Sequence, residues 1–396
     1  MGHKDKGERN YNPSLGLQQT PEGERYLRPI RKLTPYERLL YWIQERQEIH
    51  ETRFPDGMTF GPWDADYTSV FNDGTDDPHP PYTEDPILQS VFFCNVYREN
   101  DKVTAFLREN FRFTYQDDAT VLLGTILLRW YNYIPTMRLL IESEIPQNLV
   151  PDRLKPTLKA LEEATDMLVD VRDNGGRNGK DGQLFGGAYI IRPVVDGPAG
   201  EDVRKAEAIG DLMCRLAKDQ ALYADLTNTK APPKSESIHI PGLQRGSMAY
   251  AFERLKAFQG MGQFYVYQFI GDLAYTHILR DAPDWFTWGY CGPGTARALL
   301  RLKYPTGGLP KTLPRQQAAP RDAEEQLLAL QEKVNKDFTG KAQPTKAQLT
   351  KLKKGGEIRG STPIHMRDLC NCLCEYDKYE RALFNERSLK RPFAGT

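Results

Sequence analysis

LKAFQGMGQFYVYQFIGDLAYTHILRDAPDWFTWGYCGPGTARAL, residues 255–299, is the stretch on which the reading of this chain turns. Gly260-Met261-Gly262 stands between two segments of helical character. A glycine–apolar–glycine turn allows a backbone geometry that larger side chains block. The second segment then starts a helix at the turn, and its first backbone N–H groups have no partner within the helix. Such an end suits a nucleic-acid phosphate. About twenty residues further on comes Asp284, and then a second glycine turn, Gly292-Pro293-Gly294-Thr295. Gly260, Gly262 and Gln263 at the first turn, and Gly292, Gly294 and Thr295 at the second, are the candidate DNA contacts. An ordinary helix–helix turn carries the same pattern, so the stretch alone leaves both readings open.

Outward from it, helical periodicity dominates and strands are few, so the expected class is mainly α with long loops. Thr34-Pro35-Tyr36-Glu37 reads as a capped helix start leading into ERLLYWIQERQEIHETR. On that helix Arg38, Arg46 and Arg53 lie close to one stripe, which ordinarily marks a solvated face. DPILQSVFFCNVYRENDKVTAFLREN reads as helical, with Asn95, Arg98 and Asp101 on one face and Phe92, Val96 and Val103 on the apolar side. ATVLLGTILLRWYNYIPTMRLL reads as the most buried helix, ending or kinking at Pro135. Arg129 and Asn132 interrupt it, and an arginine in such surroundings needs a carboxylate. Further helices are expected over residues 153–170 and 201–224, in DAEEQLLALQEKVNKDF, and in HMRDLCNCLCEYDKYERALF at the end. LFGGAYIIRPVV reads as a short extended piece.

The expected organisation is a mobile arm over residues 1–33 and one helical domain over 34–390, with mobile basic sequence at about 340–360. The chain of 396 residues carries 53 basic and 53 acidic side chains. A net charge of zero does not exclude a basic face. Six cysteines in this length do not form a disulfide framework. CNCLC at 370–374 lacks a second Cys or His pair at finger spacing, so no metal is expected. DNGGRNGKDGQ misses the phosphate-loop spacing and has Asp181 where Ser or Thr is needed, so no nucleotide cofactor is expected either. Without a signal peptide or long apolar run, a soluble intracellular protein is expected.

Seven separated motifs then align with one family: ERQEIHETR, TEDPIL-x4-FCNVYRENDKVT, ILLRWYN, GGAYII, LKAFQGMGQFYVYQFIGDLAY, CGPGTARAL and DLCNCLCEYDKYERA. In this order they resemble the phage DNA-thymine hypermodification proteins, the amino acid:DNA transferases or α-glutamyl/putrescinyl-thymine pyrophosphorylases. These share a domain with the helical part of 5-hydroxymethyluracil DNA kinases and are related to helix-hairpin-helix DNA glycosylases. The resemblance spans roughly residues 36–387. The chain departs from it in the loop after Arg53, at 173–183 and at 340–360, which leaves the substrate open.

The resemblance implies a helix-hairpin-helix, glycosylase-like fold and a substitution on DNA. An amine from an amino acid or polyamine displaces pyrophosphate from the exocyclic carbon of a pyrophosphorylated 5-hydroxymethyluracil. The base must be exposed, the leaving group needs cations, and the amine must lose a proton. Arg46, Arg98, Arg129, Arg297 and Lys378 are the implied cations, with Asn95, Asn132 and Gln268 as polar partners. Asp284, Asp272, Asp377 and Glu375 are the candidate acids. Asp284 is favoured because it falls about where the glycosylases place theirs. Tyr265, Tyr267, Trp285 and Trp288 are either base-stacking or core residues. The partners are then DNA and a small amine, with no membrane. Two other functions stay open: a non-catalytic DNA-binding helical module, and a glycosylase. Gln263 and Phe264 stand where bifunctional glycosylases carry a lysine nucleophile, so such a glycosylase would be monofunctional.

Overall fold

The computed structural model describes residues 20–57, 82–173, 183–186, 201–231, 235–304 and 319–386. Among these the chain is mainly α, with no strand. GGAYII after its first glycine, most of the loop after Arg53 and most of the loop at 173–183 lie outside the described residues.

Helix α1 (Pro21–Lys32) stands where a mobile arm was expected. Thr20 caps it, Leu27 and Ile30 are buried one turn apart, and Arg31 donates to the Leu383 carbonyl at 3.0 Å. The polar composition concealed a narrow apolar stripe that is enough to dock the helix. Helix α2 (Pro35–Arg53) starts as expected, with Thr34 and Glu37 forming a reciprocal capping box. Its arginine stripe is no solvated face, because Arg38 is fully buried in a bidentate pair with Glu380.

Helix α3 (Pro86–Ser90) is a single turn and a half, capped by Asp85. The expected helix does not continue, since residues 91–97 run irregularly and Phe92 is 55% exposed. Helical structure resumes with a 3₁₀ turn at Arg98–Asn100 and then α4 (Lys102–Leu107), which passes into a π-turn at Arg108–Arg112. Helix α5 (Thr120–Tyr131) is buried at every position, as its composition requires. It ends at Asn132 in the left-handed conformation, and α6 (Ile134–Glu142) restarts with Pro135 in its first turn.

Helices α7 (Leu154–Asp173) and α8 (Glu201–Lys218) pack together, followed by the short α9 (Leu222–Thr227). The opening stretch forms α10 (Met248–Lys256), a turn, and α11 (Gln263–Leu273). Helix α12 (Pro293–Leu302) lies along α15 (Met366–Leu383). A side chain at Gly294 would collide with Cys374, so the second glycine turn lets two helices approach closely. Helix α13 (Ala323–Thr339) also packs on α15. Helix α14 (Lys346–Lys353) occupies the basic segment expected to be mobile. Partly buried Leu349, buried Leu352 and buried Ile358 anchor this region.

Helix α15 therefore organises the fold. Its Tyr376 and Tyr379 hydroxyls donate to the Pro35 carbonyl and to Asp85, at 2.7 Å each. The pairing of Glu380 with Arg38 ties it again to α2. Replacing Arg38 by Met should leave Glu380 buried without its cation and cost about 3–5 kcal/mol in urea unfolding. Adding Glu380→Leu should restore most of that loss. A single variant as stable as the parent would remove this pair from the account of the fold.

Candidate functional site

Three segments distant in sequence meet at one place: the middle of α2, residues 92–102, and the middle of α15. The turn at 92–97 is held to both helices by its backbone. Arg46 on α2 donates to the carbonyls of Cys94 and Phe93 at 3.2 and 3.3 Å. Glu375 on α15 accepts the Cys94 N–H at 3.0 Å, and Asn371 donates to the Asn95 carbonyl at 3.2 Å. Within the turn, Asp101 accepts the Asn95 N–H at 2.8 Å and Asn95 donates to the Asn100 carbonyl at 2.5 Å. Asn95, Arg98 and Asp101 thus gather through a closed turn rather than along one helix face.

Charge is concentrated here. Lys378 pairs with Glu375 at 2.6 Å and lies over the Phe93 ring. Burial raises the Asp101 carboxyl to about 6, against the opposing pull of Arg98, the Asn95 N–H and Arg46. Burial and Arg53 lower Lys102 to about 8. The Cys94 thiol is pushed up by burial. Two carboxylates and several cations held by fixed backbone suit an anionic group together with a proton to be moved. Arg46, Asn95, Arg98, Glu375 and Lys378 were expected from the sequence, whereas Lys102 was not singled out. Its signal was only its place beside Asp101, within reach of Arg53.

The remaining expected residues lie elsewhere. Arg129 does find its carboxylate. It grips Asp272 through two bonds, at 2.6 and 2.7 Å, and also donates to Asn132 and Thr104. This pair is buried between α5 and α11. Gln268 is buried on the same helix as Asp272. Arg112 extends the cluster, 3.8 Å from Asp272 and bonded to Glu99. Asp377 sits among Arg301, Arg381 and Arg297, at 2.8, 3.2 and 3.3 Å, where α12 meets α15. Asp284 accepts the N–H groups of Met248 and Ala249 at 2.8 and 3.0 Å, so its carboxylate covers the start of α10.

The turn between α10 and α11 is exposed at Gln259, Gly260, Gly262 and Gln263. Gly260 takes a φ of +95°, where glycine is needed, while a side chain at Gly262 would meet nothing. Gly262 stands at the N-cap of α11 and makes no side-chain capping bond. The second turn is used differently, since Thr295 is buried and donates to the Cys370 carbonyl at 3.0 Å. Tyr265, Tyr267 and Trp285 are core residues, and Trp288 is half-buried.

Among the described residues no group of three His, Cys, Asp or Glu side chains is placed to hold a metal ion. No helix of the described residues is long and apolar enough to cross a membrane.

Residues 63–388 match the family model of the 5-hmdU DNA kinase, helical domain. The matched span contains Asn95, Arg98, Asp101, Glu375 and Lys378, and Arg46 precedes it. No curated protein and no solved structure matches the chain.

The raised Asp101 carboxyl makes a pH-dependent prediction. Between the ordinary value of 3.8 and about 6, the folded state holds this proton and the unfolded state has lost it. Its stabilising contribution is present below the lower value and lost as pH rises through the higher one. The parent should therefore lose stability relative to Asp101→Asn as pH rises from about 4 to 6, with the difference level above that. Urea unfolding of both proteins across this range measures it. A difference independent of pH would show that Asp101 ionises as in the unfolded chain.

Proposed function

This chain belongs to the 5-hmdU DNA kinase helical-domain family, and on that premise we propose that it modifies 5-hydroxymethyluracil bases in DNA. The reaction that best suits its residues is amine transfer. An amino acid or polyamine attacks the exocyclic carbon of a pyrophosphorylated 5-hydroxymethyluracil. The C–N bond forms, the C–O bond breaks, pyrophosphate leaves, and the amine proton passes to a carboxylate. The observation that carries this reading is the meeting of Arg46, Arg98 and Lys378 with Asp101 and Glu375 in one place.

In this reading each residue has a distinct role. Arg46, Arg98 and Lys378 neutralise charge as it builds on the departing pyrophosphate. Asp101 accepts the amine proton, because a base works best with a pKa near the operating pH. Glu375 orients Lys378 and the backbone of the 94–95 turn. Asp284, favoured from the sequence as the base, has both oxygens engaged in covering α10, so its role in this proposal is structural. The exposed turn at Gly260–Gln263, where α11 begins, is the part of the chain suited to meet a DNA phosphate. The Arg129–Asp272 pair supports the site from within the core.

A second reading has an observation of its own. The matched family model describes the helical domain of the kinases, so a DNA-binding module without chemistry is compatible with the match.

Mass spectrometry of nucleosides separates the two, after incubating the protein with pyrophosphorylated 5-hydroxymethyluracil DNA and a pool of amines. An amine-bearing thymine is the expected product. Asp101→Asn should bind DNA within a few-fold of the parent and lose about 10²–10⁴ in transfer rate. The parent's rate should fall on the acid side of about pH 6, and the variant should lose that limb. Asp284→Asn should keep transfer and lower the unfolding midpoint. DNA binding without product for every amine would support the module. The reverse pattern for the two variants would return the base to Asp284.

A further inference from the structure

The segment between Asp337 and Glu357 carries five lysines and no acid, in a chain with no net charge overall. Three of those lysines, Lys346, Lys351 and Lys354, are exposed at or just beyond the ends of α14 or on its face. With Ala347 and Thr350 they line one shallow depression. At 100° per residue, Lys346, Thr350, Ala347, Lys354 and Lys351 fall within an arc of about 140°. Leu349 and Leu352 take the opposite side, and Leu352 is buried. No ion pair holds these three lysines among the described residues.

The helix is short but firmly set. Thr345 and Gln348 form a reciprocal capping box. Lys353 reaches back over the Trp285 ring. Beyond α14, residues 355–360 are strapped to the elements that build the candidate site. The Gly356 N–H is bonded to Glu99 at 3.1 Å, and Ile358 exchanges two bonds with Asn100, at 2.7 and 2.8 Å. Gln47 on α2 also donates to the Ile358 carbonyl at 3.2 Å. Glu99 and Asn100 directly precede Asp101, so the lysine face is fixed relative to the candidate site by a few residues of bonded backbone.

We propose that this lysine face of α14 docks the phosphate backbone of DNA and holds the duplex beside the site at Asp101. The inference rests on the DNA-modifying reading above. Lys346 and Lys354 are about 12 Å apart along the helix axis, a length over which one DNA strand presents about three or four phosphates. Lysines on flexible stems suit this sequence-independent contact, because the counterions they release favour binding whatever the bases are. The face thereby supplies position, and the turn chemistry at 94–102 acts on the base.

The test is a salt titration of fluorescence anisotropy with a labelled, unmodified duplex. It compares the parent, Lys346→Gln/Lys351→Gln/Lys354→Gln, the matching triple arginine variant, and Lys159→Gln on exposed α7 as a control. The glutamine variant should bind about tenfold more weakly near 100 mM salt, and its log–log salt slope should fall by about 2–3. The arginine variant and the control should keep the parental slope. Because the replaced side chains are exposed, the urea midpoint should not move. An unchanged slope in the glutamine variant overturns the docking face and leaves the DNA-modifying reading standing. A parent that binds no duplex at low salt overturns both. Lysine-dependent binding to phosphatidylserine vesicles without binding to duplex would assign the face to a membrane surface and overturn the proposal.

Discussion

A carboxylate buried in a helical core must be matched by a cation held in place, and Asp272 meets that constraint through Arg129. The two bonds between them join α5, the most apolar helix, to α11. From that pair the charges continue outward. Arg112 lies between Asp272 and Glu99. Arg108 also contacts Glu99, and the π-turn at Arg108–Arg112 belongs to the segment that brings both arginines to this one acid. Glu99 in turn accepts the N–H of Gly356 from the strap after α14. Breaking this line would leave desolvated charges without partners, at a cost larger than most single contacts contribute.

The line ends beside the residues proposed to act. Arg112 lies over the Tyr275 ring, and Tyr275 shares a hydrogen bond with His365 at 2.8 Å. His365 Nδ1 accepts the Asp368 N–H at the start of α15, which leaves Nε2 as the protonated nitrogen of the neutral ring. Burial keeps this imidazole well below its usual range, so it stays neutral. Asp368 is raised to about 7 by burial, although it accepts the Arg98 N–H. The backbone over residues 93–98 is therefore held from the core by Asp368 and Asn371 and from α2 by Arg46. A rigid frame of this kind lets a short irregular segment present Asp101 and Arg98 in one geometry.

Much of the architecture was legible in the residues. Periodicity marked α2, α5, α13 and α15, and the Thr34–Glu37 capping box marked where α2 starts. The demand of Arg129 for a carboxylate followed from its apolar surroundings. Gly260 was readable as a turn residue, and its positive φ explains why. Helix α1 and α14 were less legible, because each docks through only two or three apolar residues among many charged ones.

What the sequence by itself determined is the set of local choices: which segments are helical, where they begin, and which arginine needs a partner. These depend on neighbours within a turn or two of the chain. Only the tertiary structure decided which acid each cation meets. Asp272 and Asp377 became ion-pair partners, Asp284 covered a helix start, and Asp101 and Glu375 came together with Arg46 across about 330 residues of chain. The reason is physical. Coulomb attraction and hydrogen bonding act over a few ångströms of space whatever the separation in sequence, so a carboxylate's role is set by what packs around it.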